Sequence, residues 1–108
     1  MEFINITLKE GLQLAKNKED YVLLDVREPY RFQEQHLNGA VNCPYGIIDG
    51  KKEIQTSKKL IVYCDFGGQS MMAARHLTKE GYEVYNIVGG VYYYLRDRKT
   101  VDEKNGKR

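Results

Sequence analysis

Leu60-Ile61-Val62-Tyr63-Cys64-Asp65-Phe66-Gly67-Gly68-Gln69-Ser70 runs from four consecutive apolar residues, through two glycines, into a helical pattern. An unbroken apolar run without alternation reads as a strand covered on both faces, the habit of parallel sheets. Ser70 to Glu80 reads as a helix, with Ser70 as its N-cap and Gly81 as its C′ residue. A buried strand followed directly by a helix is half of a β-α-β unit.

The same alternation continues outward. Tyr21 to Val26 is a second buried strand, followed by Pro29 at the first turn of a helix over Tyr30 to Gln35. Asn38-Gly39 marks a turn, and Ala40 to Asn42 a short strand closed by Cys43-Pro44. Near the start, Phe3 to Ile6 is a strand, and Thr7-Leu8-Lys9-Glu10 has capping-box spacing ahead of a helix over Leu8 to Asn17. A short helix is expected at Lys51 to Gln55. Val84 to Val88 is a strand, Gly89-Gly90 a turn, and Val91 to Arg98 the last helix. In that helix Val91, Tyr94 and Leu95 should face the sheet, leaving Tyr92 or Tyr93 exposed. Strands alternating with helices predict an α/β three-layer sandwich, with a mainly parallel sheet and helices on both faces.

Composition narrows the function classes. At 108 residues the chain is one domain, and 42% hydrophobic with 30% charged residues is ordinary for a soluble globule. The net charge of +2 sits in the tail: residues 96–108 hold six Lys/Arg against three Asp/Glu, and residues 1–95 hold 11 against 12. With no basic stripe on any element, nucleic acid is not an expected partner. No apolar run approaches a membrane span or the core of a signal peptide. Two cysteines cannot build a disulfide scaffold or a four-ligand zinc site. These features predict a cytoplasmic protein, a monomer or weak dimer, with thiols and neither metal nor organic cofactor.

The chemistry concentrates after the Leu60 to Tyr63 strand. Ligands of open α/β sheets bind at the carboxyl ends of strands, where helix N-termini present unpaired N–H groups. Cys64 occupies that position, and Gly67-Gly68 lets successive N–H groups converge as an anion-binding nest. A thiolate there is favoured by the helix dipole. A cysteine at a strand end is equally often a small core residue, so these features leave nucleophile and filler both open.

The spaced motifs resemble those of the single-domain rhodanese family over residues 3–98. Leu24-Asp25-Val26-Arg27-Glu28-Pro29-Tyr30 with Phe32 matches a first signature. Gln35-His36-Leu37-Asn38-Gly39-Ala40-Val41-Asn42-Cys43-Pro44 is similar to a segment G-H-I-x-G-A-x-N-x-P, with Gln35 in the glycine position. Ile61-Val62-Tyr63-Cys64 with Gly67 and Ser70 matches the active-site strand and loop, and Gly81-Tyr82 with Gly89-Gly90-Val91 the closing pattern. The resemblance implies a rhodanese-like domain over residues 1–99, a polar basic tail over 100–108, and sulfurtransferase activity. Cys64 would take sulfur from thiosulfate or a persulfide donor, small or protein-borne, and pass it to a thiol or cyanide. The N–H groups of Asp65, Phe66, Gly67, Gly68, Gln69 and Ser70 would surround its sulfur.

The chain departs from the usual C-x-x-G-x-R-S loop at two places. Gln69 stands where arginine is typical, offering two donors and no charge in place of a cationic five-donor fork. Asp65 adds a negative charge beside the nucleophile, which should weaken anionic donors. The alternative is a non-catalytic rhodanese module that binds a partner or senses redox state. Phosphatases of this fold use C-x5-R, and the arginine would fall at position 70, which is Ser70. Asp25 is expected to organise loops, and Arg27 either to pair with an acid or to lend charge near Cys64. His36 reads as a loop anchor, and Cys43 as a core residue with no disulfide to Cys64.

Overall fold

The structure, a computed structural model, describes residues 2–48, 54 and 57–104, with side chains as far as Arg98. Five strands are formed among these residues: β1 (Ile4–Ile6), β2 (Tyr21–Asp25), β3 (Val41–Asn42), β4 (Lys59–Tyr63) and β5 (Val84–Ile87). They make one sheet in the order β1-β5-β4-β2-β3, and every neighbouring pair is parallel. The connections contain α1 (Leu8–Ala15), α2 (Pro29–Glu34), α3 (Gly68–Lys79) and a 3-10 turn at Tyr45–Ile47, and α4 (Tyr92–Lys104) follows β5. No helix among the described residues is long and apolar enough to cross a membrane.

The period of two along β4 builds two cores. Leu60, Val62 and Cys64 point to one face, where they pack with Ala73, Ala74 and Leu77 of α3. Ile61 and Tyr63 point to the other, against Val91 and Leu95 beside Leu8 and Leu12 of α1. Leu60 through Tyr63 are fully buried, so the unbroken apolar run does mark a strand covered on both sides. Burying each such side chain contributes roughly 1.5–3 kcal/mol. This central strand aims its carboxyl end, and Cys64 with it, at the edge where β2 delivers Asp25.

Local chemistry accounts for the element ends. The Thr7 side chain accepts the Glu10 N–H, and the Glu10 carboxylate accepts the Thr7 N–H, so the capping box that opens α1 is complete. Three boundaries differ from expectation by two residues or more. α1 stops at Ala15, where Asn17 and Asp20 bond to each other and start a turn. α3 begins at Gly68, so Ser70 is not its N-cap. α4 continues past Arg98 to Lys104. The helix expected at Lys51 to Gln55 lies outside the described residues apart from Ile54, which is buried.

The turn after β5 presses on the loop after β4. The Val91 N–H donates to the Cys64 carbonyl and the Tyr92 N–H to the Asp65 carbonyl, both at 3.0 Å. A Cβ on Gly90, whose φ is +74°, would lie 2.0 Å from the Asp65 carbonyl oxygen. Gly90→Ala should therefore cost more than about 2 kcal/mol, combining left-handed strain with displacement of the loop. A Cβ on Gly68 meets nothing within 4 Å, so Gly68→Ala should change stability by less than about 1 kcal/mol. Denaturant midpoints of the two variants make the comparison, and equal losses would refute the close-approach argument.

Candidate active site

Cys64 is the first residue beyond β4 and is 2% exposed. Its Sγ accepts hydrogen bonds from the Gly67 N–H at 3.1 Å and the Ser70 N–H at 3.3 Å. The N-cap of α3 is Gly67, with φ +101°, and no side chain caps the helix. A left-handed residue here turns the chain back so that both amides face the sulfur. The Ser70 N–H at the third helical position is the one an N-cap side chain ordinarily accepts. Here the cysteine sulfur accepts it in place of a capping side chain. Ser70 is instead buried behind the turn, its Oγ donating to the Gly67 carbonyl at 3.3 Å. Gly68 and Gln69 are exposed in the first helical turn, where amides lack intrahelical partners. Of the six N–H groups expected around the sulfur, those of Gly67 and Ser70 reach it.

Formal charge is arranged on the other side of the loop. Asp25 is fully buried at the end of β2 and accepts from the Arg27 side chain through both oxygens, the shortest contact being 2.6 Å. The Tyr63 hydroxyl donates to the same carboxylate at 2.8 Å and accepts the Leu37 N–H. Burial, then the Asp25 charge, pushes the Tyr63 phenol far above its ordinary value, so it remains a neutral donor. Arg27, itself 2% exposed, also donates to the Gln35 carbonyl at 2.6 Å and to Asp65 at 3.1 Å. The pairing expected for Arg27 is thus present, with two acids at once.

Asp65 does not carry the uncompensated charge expected of it. Arg31 grips its carboxylate with a bidentate fork, Nε to Oδ2 at 3.0 Å and the second contact to Oδ1 at 3.1 Å. Burial pushes the Asp65 carboxyl up, but hydrogen bonds from Arg31 and Arg27 outweigh it and hold it below the usual carboxylate range. The hydrogen bond to Asp65 correspondingly raises Arg31 above its ordinary value. Arg31 escaped the sequence reading because its partner lies 34 residues away and its own helical turn looks like a solvated face. Arg27 and Arg31 also line a cavity of about 160 Å³ with Glu34, Gln35, Tyr92, Leu95 and Arg96.

The mouth of the loop is aromatic. Phe66 is 61% exposed, and its ring lies 4.9 Å from Tyr92 and 6.1 Å from Tyr93. Of the tyrosine run, Tyr93 is the exposed member, while Val91 and Leu95 are buried and Tyr94 packs on the sheet. Arg31 lies over the Tyr92 ring and Arg96 over Tyr93. Cys43 and Cys64 are both buried thiols with no disulfide between them. His36 stacks on Phe32 at 3.8 Å and places Nδ1 2.8 Å from the Phe32 carbonyl.

Residues 8–97 match the rhodanese-like domain family. Thiosulfate sulfurtransferase GlpE of Coxiella burnetii is 31% identical over 104 residues, covering 94% of this chain and 96% of that protein. A putative sulfur carrier protein, YrkF of Bacillus subtilis, is 32% identical over 88 residues, covering 80% of this chain and 48% of that one. The crystal structure of a rhodanese-related protein from Thermoplasma volcanium superposes with a TM-score of 0.68 at 26% identity, covering 90% of this chain and 93% of the other. The parallel sheet, the sulfur-directed amides and these likenesses agree: the chain belongs to the rhodanese-like domain family.

Proposed function

We propose that this protein is a sulfurtransferase that carries sulfur as a persulfide on Cys64. The observation supporting the reading most directly is the pair of main-chain N–H groups, from Gly67 and Ser70, aimed at a cysteine sulfur at the start of α3. Preorganised dipoles of this kind stabilise negative sulfur without reorganising during reaction. In the first step the Cys64 thiolate attacks the outer sulfur of thiosulfate. A Cys64 S–S bond forms, the old S–S bond breaks, and sulfite leaves with its electron pair. In the second, an acceptor thiolate or cyanide attacks the terminal sulfur, and the Cys64 thiolate departs. Each half is a displacement at sulfur, so electrons balance without an external oxidant or reductant.

The exposed first turn of α3 leaves the Gly68 and Gln69 amides for the group attached to the transferred sulfur. A persulfide donor, small or protein-borne, places less negative charge there than thiosulfate does. The similarity to a putative sulfur carrier protein supports a protein partner of that chemistry. A second reading, a non-catalytic module that binds a partner or senses redox state, draws on Gln69, which brings no cation to the sulfur side of the loop.

Two measurements test the reading. Intact mass after incubation with thiosulfate or a low-molecular-weight persulfide should rise by one sulfur atom on the wild type and stay unchanged on Cys64→Ser. A wild type that gains nothing from either donor supports the non-catalytic module. Restoring the cation is the second test. A charge-assisted hydrogen bond contributes roughly 1.5–3 kcal/mol against about 1 for a neutral one. Gln69→Arg should therefore raise kcat/KM for thiosulfate about tenfold at low salt, and much less for a neutral persulfide donor. Equal gains for both donors would assign the arginine to loop shape instead of charge.

A further inference from the structure

Two carboxylates and two guanidiniums meet behind the Cys64 loop, and their division of labour is unequal. Arg27 directs Nε and one terminal nitrogen at Asp25, leaving a single terminal nitrogen for Asp65. Asp25 is fully buried and receives that cation most closely. One guanidinium cannot neutralise two carboxylates. Asp65, the residue bonded directly to the nucleophile, therefore depends on Arg31 for the rest of its compensation, and Arg31 supplies a bidentate fork. Exposed Glu34 pairs with the outer nitrogen of Arg31 at 2.6 Å, and the Arg96 guanidinium lines the same cavity as Arg27 and Arg31, beside Asp97 and over the Tyr93 ring.

We infer that Arg31 is a specificity-determining positioning residue: by cancelling the Asp65 carboxylate it keeps the field at Cys64 open to negatively charged sulfur donors. It acts through Asp65 and does not touch the sulfur. The inference rests on Cys64 being the nucleophile, and it goes further by assigning donor selectivity to a residue outside the loop. With Gln69 neutral, the compensation of Asp65 decides whether an anion meets net repulsion at the loop. Removing Arg31 should disfavour anionic reagents over neutral ones, and removing Asp65 as well should cancel the effect.

The test uses two reagents of similar size that alkylate through the same iodomethylene carbon, one bearing a carboxylate and the other a neutral amide. Iodoacetate and iodoacetamide both alkylate a thiolate with loss of iodide, so their rate ratio at Cys64 cancels the thiolate fraction and any loop distortion felt equally by both. Rates are read at Cys64 by peptide mass spectrometry at low salt. Arg31→Gln should lower the iodoacetate to iodoacetamide ratio about threefold, the size expected for one charge near a solvent-open site. Asp65→Asn should raise it, and the double variant should return it to the wild-type value. High salt should flatten all the differences. An unchanged ratio in Arg31→Gln, even with both rates slowed, would reduce Arg31 to a structural role and overturn the inference. A lowered ratio that persists in the double variant would overturn it too, since Arg31 would then not act through Asp65. If wild-type Cys64 reacts with neither reagent, the nucleophile assignment fails first, and the selectivity inference falls with it.

Discussion

A guanidinium removed from water must have its donors and its charge met inside the protein, and Arg27 is such a group. Its partners come from three separate segments: Asp25 at the end of β2, the Gln35 carbonyl after α2, and Asp65 after β4. The Tyr63 ring lies alongside, 5.7 Å from the guanidinium carbon. Leaving one member of a buried pair alone costs about 3–5 kcal/mol, although the intact pair adds little net stability. The arrangement therefore says more about position than about stability. It fixes where the chain leaves β2 relative to where it leaves β4, and the loop after β4 holds the cysteine.

From the opposite side the loop is held by main chain. The turn after β5 donates to the Cys64 and Asp65 carbonyls, and Gly90 approaches so closely that no side chain fits between. Gly67 also approaches Gly89, less closely: an added Cβ would lie 3.1 Å from the Gly89 amide nitrogen. The Cys64 and Asp65 carbonyls are thus committed to the turn after β5 while the Gly67 and Ser70 amides turn to the sulfur. Sequence sets this directionality through glycines at 67 and 90, and the sheet supplies the rigid frame.

Much of this was legible in the chain. The buried runs at Tyr21–Asp25 and Leu60–Tyr63, and the Thr7 and Glu10 capping pair, carry local signals that tertiary packing did not override. Serine before an apolar helical pattern usually is a cap, yet Ser70 lies inside α3 and Gly67 is the cap. A left-handed Gly67 with a sulfur acceptor leaves no such mark. The extension of α4 was missed because residues 99–104 are mostly charged and show no apolar face to give a period. Asp25 as a loop organiser and Arg27 as a residue paired with an acid could be picked out, though not as each other's partners. The Asp65 to Arg31 fork could not, since nothing in either neighbourhood announces a partner so far along the chain.

Those long-range pairs change how the missing loop arginine is understood. In a C-x-x-G-x-R-S loop the arginine takes the position that Gln69 holds here, in the first turn of α3. Here the guanidiniums are engaged by Asp25 and Asp65, and among the described residues the hydrogen bonds to the sulfur come from the Gly67 and Ser70 amides. Fixed dipoles of a helix N-terminus amount to about half a unit charge, matched better to one negative sulfur than to a dianion. An aromatic mouth of Phe66, Tyr92 and Tyr93 adds apolar surface without adding charge. These electrostatics fit the persulfide chemistry proposed for Cys64, since they suit a monoanionic sulfur better than a donor that brings two charges of its own.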